Sequence, residues 1–151
     1  MSSVTNLHSS YIRGTEPQAI VAEVTIVVCT LTNVVQRIVT VNSPKVYLST
    51  RTLKHLFDKK PAEEYEFVLV HGWKTIHMPD EIYHNQDSKR GDLGFVKIIK
   101  GNRYFCSLEK VVDPVTNSDA LHVATMFRLR KESYLKSYTL LWSWRGDAPS
   151  S

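Results

Sequence analysis

The stretch KVYLSTRTLKHLFDKKP, residues 45–61, changes from extended to helical character at Ser49. Residues 45–48 have the β-branched and aromatic composition of a short strand. Ser49 or Thr50 then provides a helix N-cap, and apolar residues follow at the i, i+3, i+4 spacing of one helix face: Leu53, Leu56 and Phe57. Pro61 ends this helix and suits the first turn of another. The stretch therefore predicts a strand followed by two consecutive helices.

Downstream of Pro61, the pattern predicts one more helix and then a set of strands. The apolar spacing repeats at Tyr65, Val68 and Leu69, and we expect this second helix to end at Gly72. Pro79 begins an extended segment, and a polar loop follows at residues 85–92. Beyond the loop, we expect strands at 94–100 and 103–111 joined by Gly101-Asn102, a turn at 113–119, a strand at 121–130 and a closing amphipathic helix at 132–144.

Upstream of residue 45, the segment 19–41 is dense in Val, Ile and Thr. Residues 24–29 and 36–41 would pair as a hairpin across Thr32-Asn33. Because β-branched runs are ambiguous by periodicity alone, a helix in this segment stays an alternative.

The order of elements predicts an α+β domain with helices packed on one face of a four- or five-stranded antiparallel sheet. We expect a flexible N-terminal tail at 1–16, a single domain at 17–145 and a flexible C-terminal tail at 146–151.

Composition narrows the class of protein. Hydrophobic residues make up 42% of the 151 residues and charged residues 23%, which is ordinary for a globular domain. The formal net charge of +4 favours a polyanionic partner such as nucleic acid, although such an excess also serves solubility. Cys29 and Cys106 lie in apolar runs, which predicts buried thiols and neither a disulfide nor a zinc site. No signal peptide or membrane span is expected, which predicts a cytoplasmic protein.

The strand at 121–130 places basic side chains on one face. Because successive side chains point to opposite faces, Leu121, Val123, Phe127 and Leu129 should share an apolar face and His122, Arg128 and Arg130 the other. Thr125 falls on the apolar face, where its hydroxyl needs a partner. The basic face is either a solvated surface or a binding surface for phosphate.

His55 and Lys59 are four residues apart and therefore share a helix face beside the apolar stripe. They either lie on the solvated rim of the helix or face a cleft between helix and sheet. A second group, His77, Asp80, Glu81 and His84, has the residue types of a metal site. Pro79 interrupts that segment, so the four should not share one helix, and no metal site is expected.

Three short motifs together resemble a known family. These are residues 46–61, containing His55 and Lys59-Lys60-Pro61; Met78-Pro79-Asp80-Glu81-Ile82; and the strand His122–Phe127 with its threonine. In order and spacing they resemble the phage-encoded nuclease-like domains grouped with barnase, EndoU, the tRNA-cutting colicins and RelE (the BECR fold). The family often has Lys-His before the proline, whereas this chain has Lys59-Lys60, and a lysine is not a neutral imidazole base.

The resemblance implies a toxin-like, metal-independent endoribonuclease without cofactor, acting on RNA such as tRNA and leaving a 2′,3′-cyclic phosphate. An antitoxin or immunity protein would be a partner of such an enzyme. Cleavage through the 2′-hydroxyl of the RNA needs a base, cations for the phosphorane charge and an acid for the leaving oxygen. The expected catalytic residues are His55, Lys59, Thr125 and Arg128, and the expected substrate-binding residues are Lys54, His122, Arg130 and Tyr138.

Two other functions remain open from the sequence. The Lys59-Lys60 departure favours a catalytically inactive module that binds RNA or a protein on the same scaffold. The apolar segment 19–41 could instead be a surface for a protein partner.

Overall fold

The computed structural model describes residues 3–85 and 92–144. Its helices are α1 (Ser3–Leu7), α2 (Asn33–Val39), α3 (Thr50–Lys59) and α4 (Ala62–His77), with a π-helical turn at His8–Ile12 and a 3₁₀ turn at Glu132–Ser137. Its strands are β1 (Thr25–Thr30), β2 (Lys45–Ser49), β3 (Glu81–Asn85), β4 (Leu93–Ile99), β5 (Asn102–Val112), β6 (Asp119–Leu129) and β7 (Tyr138–Ser143).

All seven strands form one sheet in the order β1-β2-β6-β5-β4-β3-β7. The α+β class is confirmed, but the predicted sheet of four or five antiparallel strands is too small. The sheet is also mixed, because β2 and β6 run parallel while every other neighbouring pair is antiparallel. The predicted strand at 45–48, the meander of β4, β5 and β6 and the turn at Gly101-Asn102 are present.

The predicted hairpin within residues 19–41 is wrong in its second half. Its first strand exists as β1, but β1 pairs with β2, and residues 33–39 form the helix α2. The Thr32 side chain caps this helix by accepting a hydrogen bond from the Val35 backbone N–H. Val35 and Val39, one turn apart, are both buried. The helical alternative was therefore the correct one for this half, since cap and spacing outweigh β-branched composition.

The end of one predicted helix and the type of another predicted element also differ from the structure. Helix α4 continues past Gly72 to His77, because Gly72 is a packing position: a Cβ atom there would lie 2.7 Å from Met126 Sδ. The predicted closing helix at 132–144 is a 3₁₀ turn followed by β7. Strand β7 pairs with β3, whose residues lie 53 to 62 positions earlier in the sequence, and burial alternates along β7 as in a half-buried strand.

The predicted N-terminal tail is part of the packed fold over the residues described. Val4, Leu7 and Ile12 belong to the main hydrophobic core, and Ile12 has no exposed surface. Their spacing of three and five residues within a polar segment is a weak pattern, which explains why the sequence did not reveal them. The predicted C-terminal tail at 146–151 and most of the loop at 85–92 lie outside the described residues.

Two hydrophobic cores lie on opposite faces of the sheet. The main core packs the helices against side chains such as Phe95, Cys106 and Leu108. The second core contains Val96, Phe105 and Leu129, which alternate with the first set along the same strands, and it is covered by Leu135 and Tyr138. The helices therefore cover one face of the sheet, and the 3₁₀ turn with the start of β7 covers part of the other.

Candidate functional site

Helix α3 presents a row of cationic and titratable side chains to solvent. Arg51, His55 and Lys59 are spaced by four residues, and all three are exposed. They line one open pocket of about 460 Å³, together with Gln18 and Ala19 from the preceding segment and Ala124 from β6. We call this cavity the α3 pocket. It contains two of the four predicted catalytic residues, His55 and Lys59.

The pocket exists because α3 is fixed at its N-terminus against β6. The Ser49 side chain, one of the two caps that the sequence offered, accepts a hydrogen bond from the Thr52 backbone N–H. The Thr52 hydroxyl donates to the Val123 carbonyl oxygen at 3.4 Å. Ala124 follows Val123 and has no register partner on β5, so it is the extra residue of a β-bulge. The bulge places Ala124 in the lining of the pocket.

Lys54, expected to bind substrate, is used inside the protein. It is 6% exposed, and its Nζ donates to Thr15 Oγ1, to the Glu16 carbonyl oxygen and to Asp58 Oδ1 at 2.6–2.9 Å. These three bonds take all the donors of an ammonium group. Hydrogen bonding from Lys54 lowers the pKa of Asp58. Lys54 therefore holds the N-terminal segment on α3. Its ammonium group is occupied by these contacts, although it lies beside the exposed side chains of Arg51, His55 and Lys59.

The charge balance of the α3 pocket favours an anion. Over the described residues, Arg51, Lys54 and Lys59 line it against one acid, Asp58, which is paired with Lys54. Arg51 lies in the first turn of the helix, where the helix dipole disfavours a cation, and that turn has no acidic residue. A phosphate bound beside Arg51 would relieve that unfavourable interaction, and His55 and Lys59 lie one and two turns further along the same helix face.

Arg128 and Arg130 lie near the start of α4, outside the lining of the α3 pocket. The Arg128 side chain donates to Asn102 Oδ1 at 2.7 Å, and its backbone N–H donates to Glu64. Arg130 forms an ion pair with the same carboxylate at 3.3 Å while 56% of its side chain stays exposed. Both arginines are exposed, but the structure does not place them in one cavity with His55.

The predicted common face of His122 and Arg128 is wrong, because the bulge at Ala124 changes the alternation along β6. Before the bulge, Leu121 and Val123 face the helices; after it, Met126 does so, while Phe127 packs with the second core. His122 and Thr125 consequently lie on the face away from the helices, and Arg128 lies on the helix side. The sequence predicted Thr125 on the same face as Leu121 and Val123, whereas the structure places it on the opposite face of the sheet.

His122 lines a different pocket, of about 530 Å³, on that other face. Its ring stacks on Tyr47 with centroids 5.1 Å apart, and burial lowers the pKa of the imidazole while the charge of Glu109 acts in the opposite direction. Among the residues that the structure describes, the lining includes Asp113 and Asp119 and no lysine or arginine. This pocket is therefore unsuited to a phosphate.

Tyr138, also expected to bind substrate, packs in the second core. Its ring lies 5.6 Å from that of Phe105 and 5.9 Å from that of Tyr134. The sequence placed it on a helix, whereas it begins β7. Arg51 was missed, although its i, i+4, i+8 relation to His55 and Lys59 was visible in the sequence.

Within residues 3–85 and 92–144, no group of three or more His, Cys, Asp or Glu side chains could hold a metal ion. His77 of the group considered in the sequence is hydrogen-bonded through Nδ1 to the Thr30 carbonyl oxygen at 2.6 Å. No helix over the same ranges is both long enough and apolar enough to cross a membrane.

Comparison with known proteins gives no assignment: the chain matches no protein-family model, no curated protein and no solved structure.

Proposed function

We propose that this chain is an RNA-binding domain that contacts phosphate groups at the α3 pocket. The observation that carries the proposal is the exposed row of Arg51, His55 and Lys59 along one side of a single open pocket. Arginine and lysine side chains bind phosphate oxygens through charge-assisted hydrogen bonds, and Asp58, the acid in the described part of the lining, is already paired.

The charge of the whole chain supports this proposal. The formal net charge of +4 attracts polyanions over distances of about a Debye length, roughly 10 Å at 0.1 M salt. Such an attraction concentrates RNA near the domain, and the α3 pocket supplies the local contacts. Binding of this kind should weaken steeply as salt rises, because counterions released from the RNA return to it.

Metal-independent cleavage of RNA at the same pocket is the second candidate function. It is favoured by the position of His55, an exposed imidazole between two cations. In this reaction the 2′-oxygen attacks the adjacent phosphorus and gives its proton to the imidazole. The bond from phosphorus to the 5′-oxygen breaks, that oxygen takes up a proton, and a 2′,3′-cyclic phosphate remains. Arg51 and Lys59 would stabilise the charge on the phosphorane.

The cleavage proposal predicts that His55→Ala lowers the rate by at least about 100-fold, because general base catalysis is lost. The exposed side chain makes few packing contacts, so the free energy of unfolding should change by less than about 1 kcal/mol. The assay incubates the purified chain with total tRNA in EDTA and detects 2′,3′-cyclic phosphate ends. His84→Ala is the matched control, since His84 is also exposed but lies on β3.

The same assay separates the two functions. RNA that is bound without cyclic phosphate ends leaves the binding proposal standing and excludes cleavage. Cleavage that survives His55→Ala unchanged would remove His55 from the mechanism. Wild-type protein that neither binds nor cuts RNA at low salt would refute both.

A further inference from the structure

A second cleft lies between helix α4 and the turn that joins β4 to β5, away from the lining of the α3 pocket. Its volume is about 480 Å³, within the roughly 300–1,000 Å³ range of small-ligand sites. One wall comes from α4 and the other from the strands, with Ile99 and Asn102 at the strand ends. The Arg128 guanidinium is hydrogen-bonded to Oδ1 of Asn102, one of the lining residues.

Three aromatic rings lie together in the second cleft, and two of them are stacked face to face. Phe67 of α4 and Tyr104 of β5 stack with centroids 3.9 Å apart and planes inclined by 9°. His71, one turn beyond Phe67, adds a third ring at 5.0 Å. All three side chains are half-buried, so part of their surface faces the cleft. Flat aromatic surfaces of this kind bind nucleobases by stacking, which every base can do.

Lysines surround the aromatic surface. Lys74 comes from α4, Lys97 from β4 and Lys100 from the turn, and the described part of the lining includes no carboxylate. Lys97 is partly neutralised by Asp80, 3.6 Å away, whereas Lys74 and Lys100 are exposed. Three like charges around one cleft repel each other in the free protein, and an anion would relieve that repulsion.

We propose that the second cleft binds an unpaired nucleotide of a single-stranded RNA segment. Since Phe67 and Tyr104 cover one face of each other, the base would extend their stack on an outer ring face, and the flanking phosphates would contact Lys74 and Lys100. The combination of stacking rings with a cationic rim is what single-strand binding requires, since the rings accept any base and the cations follow the backbone. The inference rests on the proposed RNA-binding function and adds to it the class of RNA: single-stranded, with at least one base turned out.

The test compares two labelled oligoribonucleotides of equal length, one with all its bases and one with abasic central positions, in fluorescence anisotropy titrations of the full chain. The wild type should bind the base-containing strand about tenfold more tightly. Tyr104→Leu should abolish this preference, because it removes the stacking ring and keeps an apolar side chain. Lys74→Gln and Lys100→Asn should keep the preference, and each should reduce the slope of log affinity against log salt by about 0.7.

Lys136→Ala is the matched control, because Lys136 is an exposed lysine in the 3₁₀ turn and does not line the second cleft. This variant should keep both the preference for the base-containing strand and the wild-type slope of log affinity against log salt. Lys74→Gln and Lys100→Asn alter exposed side chains, so they keep the test decisive if Tyr104→Leu unfolds the chain. Lys100 has a φ of 51°, in the left-handed region, and asparagine is chosen as its replacement because asparagine tolerates that conformation.

The outcomes distinguish the two proposals. If the wild type binds both strands equally and the lysine variants keep the full salt slope, the second cleft is not an RNA site, while binding at the α3 pocket still stands. If the wild type binds neither strand, the proposed function itself fails and this inference fails with it. If an acidic peptide competes with RNA only in variants with Lys74 and Lys100 intact and no base preference exists, the cleft is a peptide site and the inference is overturned.

Discussion

Reversing two charges of the exposed row, in the double variant R51E/K59E, is expected to weaken RNA binding by about 100-fold at 0.1 M salt. Two phosphate contacts are lost, and each cation is replaced by an anion that repels the backbone. The slope of log affinity against log salt should become shallower by about 1.4 for single-stranded RNA, since two fewer counterions are released. Titrations at several salt concentrations measure both quantities.

The control for this experiment is K45E/K136E. Lys45 and Lys136 are exposed and lie outside the lining of the α3 pocket, and both double variants have a formal net charge of zero. Equal losses of affinity in the two variants would mean that RNA responds only to net charge and that the α3 pocket is not the contact. Circular dichroism should show folded protein in both cases, because glutamate at residue 51 suits the first turn of α3.

Truncating Phe105 to alanine is expected to lower the free energy of unfolding by about 3–5 kcal/mol. Phe105 has no exposed surface. Its ring packs between the sheet and the 3₁₀ turn, with its centroid 5.2 Å from the rings of both Phe127 and Tyr134. Removing the ring leaves a cavity that strands β4 and β5 hold open, so little relaxation is available. Urea unfolding followed by circular dichroism measures the change.

Val112→Ala on the same strand is the matched control, because Val112 is 54% exposed and should cost less than about 0.5 kcal/mol. A loss below about 1 kcal/mol for Phe105→Ala would mean that the second core contributes little. The 3₁₀ turn and the start of β7 would then not be packed on the sheet in solution.

The parts of the fold that the sequence predicted are those set by neighbouring residues. The capping hydroxyl of Ser49 and the spacing of Leu53 and Leu56 define the entry and the buried face of α3 without help from distant residues. The reversal at Gly101-Asn102 is equally local, since glycine takes a φ of 80° there. For the same reason the sequence could place His55 and Lys59 on one exposed helix face.

The parts that the sequence could not predict depend on distant partners. Residues 138–143 become a strand because β3 offers them an edge. The bulge at Ala124 is defined only by the register between β5 and β6, and it moves His122 to the opposite side from Arg128. A pattern of alternation read along one strand has no means of detecting such a shift. The second cleft was missed because Phe67 and Tyr104 are far apart in sequence.

The parallel pairing of β2 with β6 links the assembly of the sheet to the existence of the α3 pocket. Its register pairs Val46 with Leu121 and Tyr47 with His122, so this pairing has to close a loop of about 75 residues. Ala124, which lines the pocket, lies two residues after the last residue of β6 in this parallel seam, His122, while α3 begins directly after β2. An anion that contacts both α3 and the bulged end of β6 would stabilise the pairing of β2 with β6 through thermodynamic linkage, slowing the opening of these strands. Amide hydrogen exchange at Tyr47 and His122, with and without RNA, would register that slowing, and unchanged rates would separate the pocket from the seam.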